Sequence, residues 1–157
     1  MNKTNAMRLL DAAGISYRPV EYTYDENDLA GTHVAEQTGM DPDQVFKTLV
    51  ARGEKRGILV FCIPVSCTLD LKKAAAAAGD KKVEMIHMKE LPGLTGYIRG
   101  GCSPIGMKKK YPTFMDETAL LFEEIGVSAG ARGLQMVLSP ERLMAFAEIT
   151  LSDLVEY

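Results

Sequence analysis

The stretch VFKTLVARGEKRGILVFCI, residues 45–63, decides the fold. Two apolar runs rich in β-branched residues, 45–51 and 57–63, flank the polar, glycine-containing segment 52–56. Runs of this length that are bounded by turn-forming residues are typical of β-strands. The stretch therefore predicts a β-hairpin, and both of its strands are apolar enough to face a core.

The rest of the chain alternates between short elements. Cap residues, first-turn prolines and terminal glycines predict helices. These cover residues 4–13, 32–38, 71–78 and 139–147, with a single helical turn at 41–44. Further short strands are predicted at 17–24, 82–86, 97–99, 113–115, 124–128, 135–138 and 148–151. Many short strands with few crossover helices favour the α+β class, as a mixed, largely antiparallel sheet or barrel surrounded by short helices.

Length and composition limit the class of protein. A chain of 157 residues with 46% hydrophobic content is enough for one core, so we expect a single domain over residues 1–157. No apolar run approaches the ~20 residues of a membrane helix, and the first residues lack the apolar core of a secretory signal. We therefore expect a cytoplasmic protein without a membrane partner.

The cysteine pattern excludes two further classes. Cys62, Cys67 and Cys102 are odd in number and have no closely paired spacing. This pattern argues against a disulfide framework and against a zinc knuckle. We expect neither a metal nor an organic cofactor.

Charge is distributed unevenly along the chain, although the net charge is only -3. Residues 72–112 hold nine Lys or Arg and three Asp or Glu, a local charge of +6. Within this segment, Lys108, Lys109 and Lys110 directly follow a glycine-rich stretch. A basic cluster of this kind predicts contact with the phosphates of RNA.

The glycine-rich stretch, GGCSPIG at residues 100–106, carries the strongest chemical signal. Adjacent glycines and a Ser-Pro turn let backbone N–H groups approach a ligand closely. Such N–H groups stabilise the oxyanion that forms when an ester is cleaved. Beside a cluster of lysines, this stretch suggests acyl chemistry on a nucleic acid.

Seven motifs in order resemble the YbaK family of freestanding aminoacyl-tRNA deacylases, which is similar to the editing insertion of bacterial prolyl-tRNA synthetases. They are KTNAM at 3–7, DPDQVFKTL at 41–49, LDLKK at 69–73, KKVEM at 81–85, TGY at 95–97, GGCSPIGMKK at 100–109 and SAGARGL at 128–134. The resemblance is greatest to members that hydrolyse Cys-tRNA(Pro). It implies trans-editing of mischarged Cys-tRNA(Pro), and of Cys-tRNA(Cys), with prolyl-tRNA synthetase as a partner and no role for DNA.

The resemblance also implies the residues of the site. Lys47 would place the terminal adenosine and its phosphate, and the backbone N–H groups of Gly100, Gly101 and Cys102 would bind the oxyanion. The implied substrate-binding residues are Tyr22, Phe46, Thr48, Ser103, Pro104, Ile105 and Ser128. Without the resemblance, Lys47 would be interpreted as a strand-end lysine that reaches solvent.

No protein nucleophile can be assigned from the sequence. His33 and His87 lie outside the matching motifs, and Cys102 is interpreted as a small packed side chain. The resemblance implies that the thiol of the substrate attacks its own ester, an intramolecular reaction that orientation alone accelerates strongly.

Two alternatives remain open. One is a broader deacylase that uses a water nucleophile on Ala-tRNA(Pro), and the other is a noncatalytic module that binds tRNA or a synthetase. Gln135 stands where close relatives of the family have an acidic residue. A glutamine keeps a hydrogen bond but loses the charge, so the amino-acid preference is left undecided.

Overall fold

The computed structural model describes residues 2–157 as an α+β fold of short helices packed on two sheets. The helices are α1 (Asn5–Ala12), α2 (Gly31–Thr38), α3 (Leu71–Ala78), α4 (Leu91–Thr95) and α5 (Pro140–Ala147), with 3₁₀ turns at Met88–Glu90 and Glu117–Leu121. The strands are β1 (Arg18–Glu21), β2 (Phe46–Gly53), β3 (Gly57–Pro64), β4 (Val83–Met85), β5 (Thr113–Asp116), β6 (Ile125–Ala131), β7 (Leu134–Leu138) and β8 (Thr150–Ser152).

The strands form two sheets. One is antiparallel, with the order β1-β7-β6, and the other is mixed, with the order β4-β2-β3-β5-β8. In the second sheet, β3 pairs parallel with β5, and β5 pairs parallel with β8. The prediction of a mixed, largely antiparallel α+β fold is confirmed, and the barrel alternative is wrong, because residues 2–157 form two open sheets.

The predicted hairpin is present, with Phe46 opposite Pro64 and Gly53 opposite Gly57. Its turn is fixed by the carboxylate of Asp80, which accepts hydrogen bonds from the backbone N–H groups of Lys55 (3.1 Å) and Arg56 (2.8 Å). A Cβ atom at position 53 would collide with this carboxylate. The turn therefore requires a glycine there.

The two sheets meet where β2 begins. Val45 pairs with Gly126 of β6, and the N–H of Gly126 donates to the carbonyl of Gln44 at 3.0 Å. The N–H of Val65, just beyond β3, donates to the carbonyl of Val45 at 2.8 Å. These bonds hold the first residues of β2 against the antiparallel sheet.

Two large apolar clusters form the core. The first packs α1 and α5 on the antiparallel sheet and contains Met7, Leu10 and Leu143. The second packs α3 on the mixed sheet, where the rings of Phe61 and Phe114 stack with centroids 5.4 Å apart. The alanines of α3 let that helix approach the sheet closely.

The predicted helix boundaries are confirmed by their caps. Thr4 accepts a hydrogen bond from the N–H of Met7, and Asp70 accepts from those of Lys72 and Lys73. Gly39 and Gly79 end α2 and α3 in the left-handed region, where glycine is favoured. These ends are set by local chemistry and could be predicted from it.

The predicted strand at 97–99 is wrong. The segment instead follows the short helix α4, which ends at Gly96 with a φ of 85°. It then enters a tight turn in which the N–H of Gly101 donates to the carbonyl of Ile98 at 2.9 Å. Tertiary contacts of Tyr97, described below, override the local preference for a strand.

Among residues 2–157, no helix has both the length and the hydropathy to cross a bilayer.

Replacing Asp116 should destabilise the fold. Its buried carboxylate accepts hydrogen bonds from the N–H of Leu154 (2.9 Å) and from both the N–H and the hydroxyl of Thr118. In Asp116→Asn, an amide nitrogen replaces one accepting oxygen and faces a donor. We expect the free energy of unfolding to fall by about 1–3 kcal/mol, measured by urea denaturation.

Asp153→Asn is the matched control for this substitution. Asp153 pairs with Lys73 at 3.0 Å but is partly exposed, so its loss should cost no more than about 1 kcal/mol. An equal decrease in the free energy of unfolding of the two variants would show that the buried hydrogen bonds of Asp116 stabilise the fold no more than the exposed ion pair does.

Candidate active site

A cavity of about 420 Å³ opens where the start of β2, the segment 22–34, the glycine-rich loop and the antiparallel sheet meet. Seven of the residues predicted for the site line it. They are Tyr22, Phe46, Lys47, Thr48, Gly100, Cys102 and Ser128. The cavity therefore joins residues that are up to about a hundred positions apart in the chain, because β2 abuts β6.

Other predicted residues lie outside this lining. Gly101, Ser103, Pro104 and Ile105 are buried residues of the glycine-rich loop itself, and Lys108, Lys109 and Lys110 are exposed beyond it. Lys110 forms an ion pair with Glu148 at 2.6 Å. The four buried residues anchor the loop in the protein, and the lysines present a surface outside the cavity.

The glycine-rich loop approaches the cavity through a tight turn. Gly100 has a φ of 84°, and the N–H of Gly101 is used inside the turn by the carbonyl of Ile98. A Cβ atom at Gly101 would lie 3.1–3.3 Å from the backbone of Ala131 and Arg132. Within residues 2–157, the N–H groups of Gly100 and Cys102 donate to no carbonyl oxygen of the backbone and are free in this sense.

Two side chains hold the loop in place. The hydroxyl of Tyr97 donates to the carbonyl of Ile105 at 2.6 Å, and its ring packs against Gly130. The Nε of Arg132 donates to the carbonyl of Arg99 at 2.7 Å. Burial raises the pKa of Tyr97 to about 12, so its hydroxyl keeps the proton that it donates.

Lys47 is half-buried at the cavity wall. Burial lowers the pKa of its ammonium group, since desolvation disfavours the charged form. The ammonium group forms no ion pair with any acidic side chain among residues 2–157. An unpaired, partly desolvated cation attracts an anionic group of a ligand.

The thiol of Cys102 is unsuited to attack a substrate. It is 8% exposed and packs with Val50, Val60 and Leu91. Burial raises its pKa to about 12, so the thiol is protonated at neutral pH. This environment agrees with the interpretation of Cys102 as a small packed side chain.

The lining also contains polar residues that were not predicted for the site, among them His33, Arg99 and Arg132, and it contains Gln135, the position at which close relatives have an acidic residue. His33 contacts Asp28 at 2.9 Å at the exposed rim. Arg132 lies within the motif at 128–134, which was a signal for it, whereas nothing local distinguishes His33 from a surface histidine. Arg99 and Arg132 add positive charge beside Lys47.

No group of three or more His, Cys, Asp or Glu side chains within residues 2–157 is arranged to hold a metal ion.

The sequence and the fold match a known class of protein. The sequence model of the family described as "Aminoacyl-tRNA editing domain" matches residues 30–146, which include most of the cavity lining. The chain belongs to this family. It is an aminoacyl-tRNA deacylase, as the motifs predicted.

Two individual relatives are similar to this chain over most of their length. The chain is 49% identical to EbsC of Enterococcus faecalis, a candidate Cys-tRNA(Pro)/Cys-tRNA(Cys) deacylase, over 96% of this chain and 95% of that one. It is 26% identical to the uncharacterized protein YwhH of Bacillus subtilis over 72% of this chain and 71% of that one.

Solved structures share the fold. A candidate trans-editing enzyme for prolyl-tRNA synthetase superposes with a TM-score of 0.83 at 26% identity, covering 99% of this chain and all of that one. The hypothetical protein APE2540 superposes with a TM-score of 0.85 at 21% identity, over 95% of this chain and 97% of that one.

Alkylation should separate the three cysteines. Burial raises the pKa of both Cys62 and Cys102 to about 12, so at pH 8 their thiols are protonated as well as covered. Cys67 is only partly buried. Peptide mapping of the native protein after iodoacetamide treatment should find Cys67 modified first, and all three modified after unfolding in urea. Early modification of Cys102 would contradict its packed environment.

Proposed function

We propose that this protein hydrolyses mischarged Cys-tRNA(Pro), and also Cys-tRNA(Cys), with the thiol of the substrate as the nucleophile. The observation that carries the proposal is the composition of the cavity. It combines an unpaired cation, Lys47, with free loop N–H groups and contains no activated nucleophile among residues 2–157. The similarity to EbsC supports the choice of cysteine.

The side chains of the cavity that could act as nucleophiles lack a base. The Cys102 thiol is buried and protonated, and the hydroxyl of Ser128 accepts a hydrogen bond from the N–H of Gly130. His33 contacts Asp28 and Glu36 and forms no hydrogen bond to either Ser128 or Cys102. A nucleophile needs an adjacent base or a lowered pKa, and neither Cys102 nor Ser128 meets either condition.

The substrate can supply the missing group. In the proposed reaction, the cysteinyl sulfur attacks the carbonyl carbon of its own ester, and the new S–C bond closes a four-membered thiolactone. The ester C–O bond breaks, and the leaving ribose oxygen takes up a proton. Water then opens the thiolactone to give free cysteine. Orientation of the two reacting groups supplies much of the acceleration.

The loop would stabilise the oxyanion that forms at the ester carbonyl. Gly100 and Cys102 offer the free N–H groups, while the N–H of Gly101 supports the turn itself. Each donor to an oxyanion contributes about 10²–10³ in rate. Ser103, Pro104 and Ile105 would act indirectly, because their buried side chains anchor the loop.

The remaining lining would place the acceptor end of the tRNA. Lys47 would bind the phosphate of the terminal adenosine, and Phe46 and Thr48 precede and follow it on β2. Tyr22 and Ser128 would contact the aminoacyl group from the opposite wall. Lys108, Lys109 and Lys110 would contact tRNA phosphates outside the cavity, and prolyl-tRNA synthetase would supply the recognition of the tRNA body that a small domain lacks.

The first test compares hydrolysis of Cys-tRNA(Pro), Ser-tRNA(Pro) and Ala-tRNA(Pro). We expect rapid loss of cysteine and slow loss of serine and alanine, because only cysteine carries a thiol. Lys47→Ala should lower kcat/KM for the cysteinyl substrate by about 10–100-fold, since a charge-assisted contact is lost.

Lys55→Ala is the matched control, because Lys55 is exposed in the turn at the far end of the same hairpin. Similar rates for all three substrates would favour a water nucleophile and a broader editor. Absence of hydrolysis in every case would contradict the proposed reaction.

The lysine cluster is tested by salt dependence. Lys108→Ala/Lys109→Ala should weaken tRNA binding and reduce the slope of log K against log salt concentration by about 1.4–1.8, as expected for two lost phosphate contacts. A Lys55→Ala/Lys81→Ala variant removes the same charge elsewhere and should keep the slope. Equal slopes for the two variants would show that the lysine cluster does not contact the tRNA.

A further inference from the structure

Gln135 is a buried polar side chain that the fold leaves unpaired. It lies on β7, is 6% exposed and lines the cavity. Its carbonyl oxygen, Oε1, is buried and meets no hydrogen bond donor among residues 2–157. Burial of an acceptor without a donor is unfavourable, and few such groups persist in native proteins. The fold therefore gives no reason for a glutamine here.

The position of Gln135 points to the bound substrate. Ser128 is directly opposite Gln135 in the β6–β7 pair, so the two side chains share the face of the sheet that borders the cavity. Oε1 lies beside Gly126, where a Cβ atom would come within 3.3 Å of it. Rotation of the planar amide about its terminal bond turns the oxygen toward the cavity without a change in volume.

The carboxylates of Asp25 and Asp28 and the amide of Gln37 also belong to the lining, but these three side chains are exposed. Oε1 of Gln37 accepts from the N–H (2.9 Å) and the hydroxyl (2.8 Å) of Thr23. The carboxylate of Asp28 contacts His33 at the rim. Lys47 and the loop N–H groups are donors. Gln135 thus offers a buried and unpaired acceptor, away from the exposed carboxylates of the lining.

We propose, on the basis of the function proposed above, that Oε1 of Gln135 accepts a hydrogen bond from the α-amino group of the bound aminoacyl ester. An α-ammonium group carries only donors, and it requires an acceptor when it enters a cavity. Fixing this group orients the Cα atom and thereby the cysteinyl thiol relative to the carbonyl carbon. Gln135 is therefore a specificity-determining and positioning residue.

The test uses two esters that differ only in the amino group: cysteinyl-tRNA(Pro) and 3-mercaptopropionyl-tRNA(Pro). Gln135→Met removes the acceptor at similar volume. We expect it to lower kcat/KM for the cysteinyl ester by about 10–100-fold, as for the loss of a hydrogen bond to a charged group. For the 3-mercaptopropionyl ester, kcat/KM of the variant should stay within about twofold of the wild-type value.

Gln37→Met is the matched control, because the same substitution in the same lining removes an acceptor that is already used by Thr23. It should change both esters by the same factor. In the absence of substrate, Gln135→Met should melt about 2–4 °C higher than the wild type, since it removes an unpaired buried acceptor. A higher melting temperature excludes misfolding as the cause of lost activity.

The outcomes separate the two proposals. If the wild type hydrolyses cysteinyl-tRNA(Pro) and Gln135→Met changes both esters equally, or neither, the role of Gln135 is overturned and the proposed function stands. If the wild type leaves cysteinyl-tRNA(Pro) intact, the proposed function fails, and the assignment of Gln135 fails with it.

Discussion

The junction between β2 and β6 is the constraint on which the cavity depends. The backbone hydrogen bond from Gly126 to Gln44 ties the start of the long hairpin to the antiparallel sheet. Lys47 lies in the mixed sheet and Ser128 in the antiparallel sheet, and this junction brings both residues to one cavity. The hairpin itself is rigid, because its register is continuous from Phe46 to Gly53 and its turn is fixed by Asp80. A rigid strand can hold a lysine at a half-buried position despite the cost of desolvation.

The glycine-rich loop depends on contacts that are distant in sequence. Tyr97 binds the carbonyl of Ile105 and packs on Gly130, and Arg132 binds the carbonyl of Arg99. Both contacts join the loop to the turn between β6 and β7, which is part of the sheet that carries Ser128. The free N–H groups of the loop are thus preorganised relative to the opposite wall. Preorganised donors stabilise developing charge without reorganisation during the reaction.

The sequence predicts the parts of this structure that local chemistry controls. The hairpin, the helix caps at Thr4 and Asp70, and the left-handed ends at Gly39 and Gly79 follow from residue types over a few positions. The strand expected at 97–99 failed because the contacts of Tyr97 with Ile105 and Gly130 are tertiary. The entry of His33 into the lining, the use of the Gly101 N–H inside the turn, and the missing partner of Gln135 depend on packing across the two sheets, which no local pattern encodes.

A cavity without its own nucleophile has a consequence for selectivity in the proposed mechanism. Cysteine and proline are close in volume, and a pocket separates such side chains by only about 1–3 kcal/mol. A site with an activated serine or cysteine would therefore endanger correctly charged Pro-tRNA(Pro) whenever it entered. When the nucleophile belongs to the substrate, a prolyl ester can bind in the same cavity and remain intact. The prolyl ring has no thiol, and its nitrogen is the α-amino group that Gln135 is proposed to bind. Selectivity then resides in reactivity more than in fit, which is why a cavity of about 420 Å³, larger than one small side chain requires, is compatible with accurate editing.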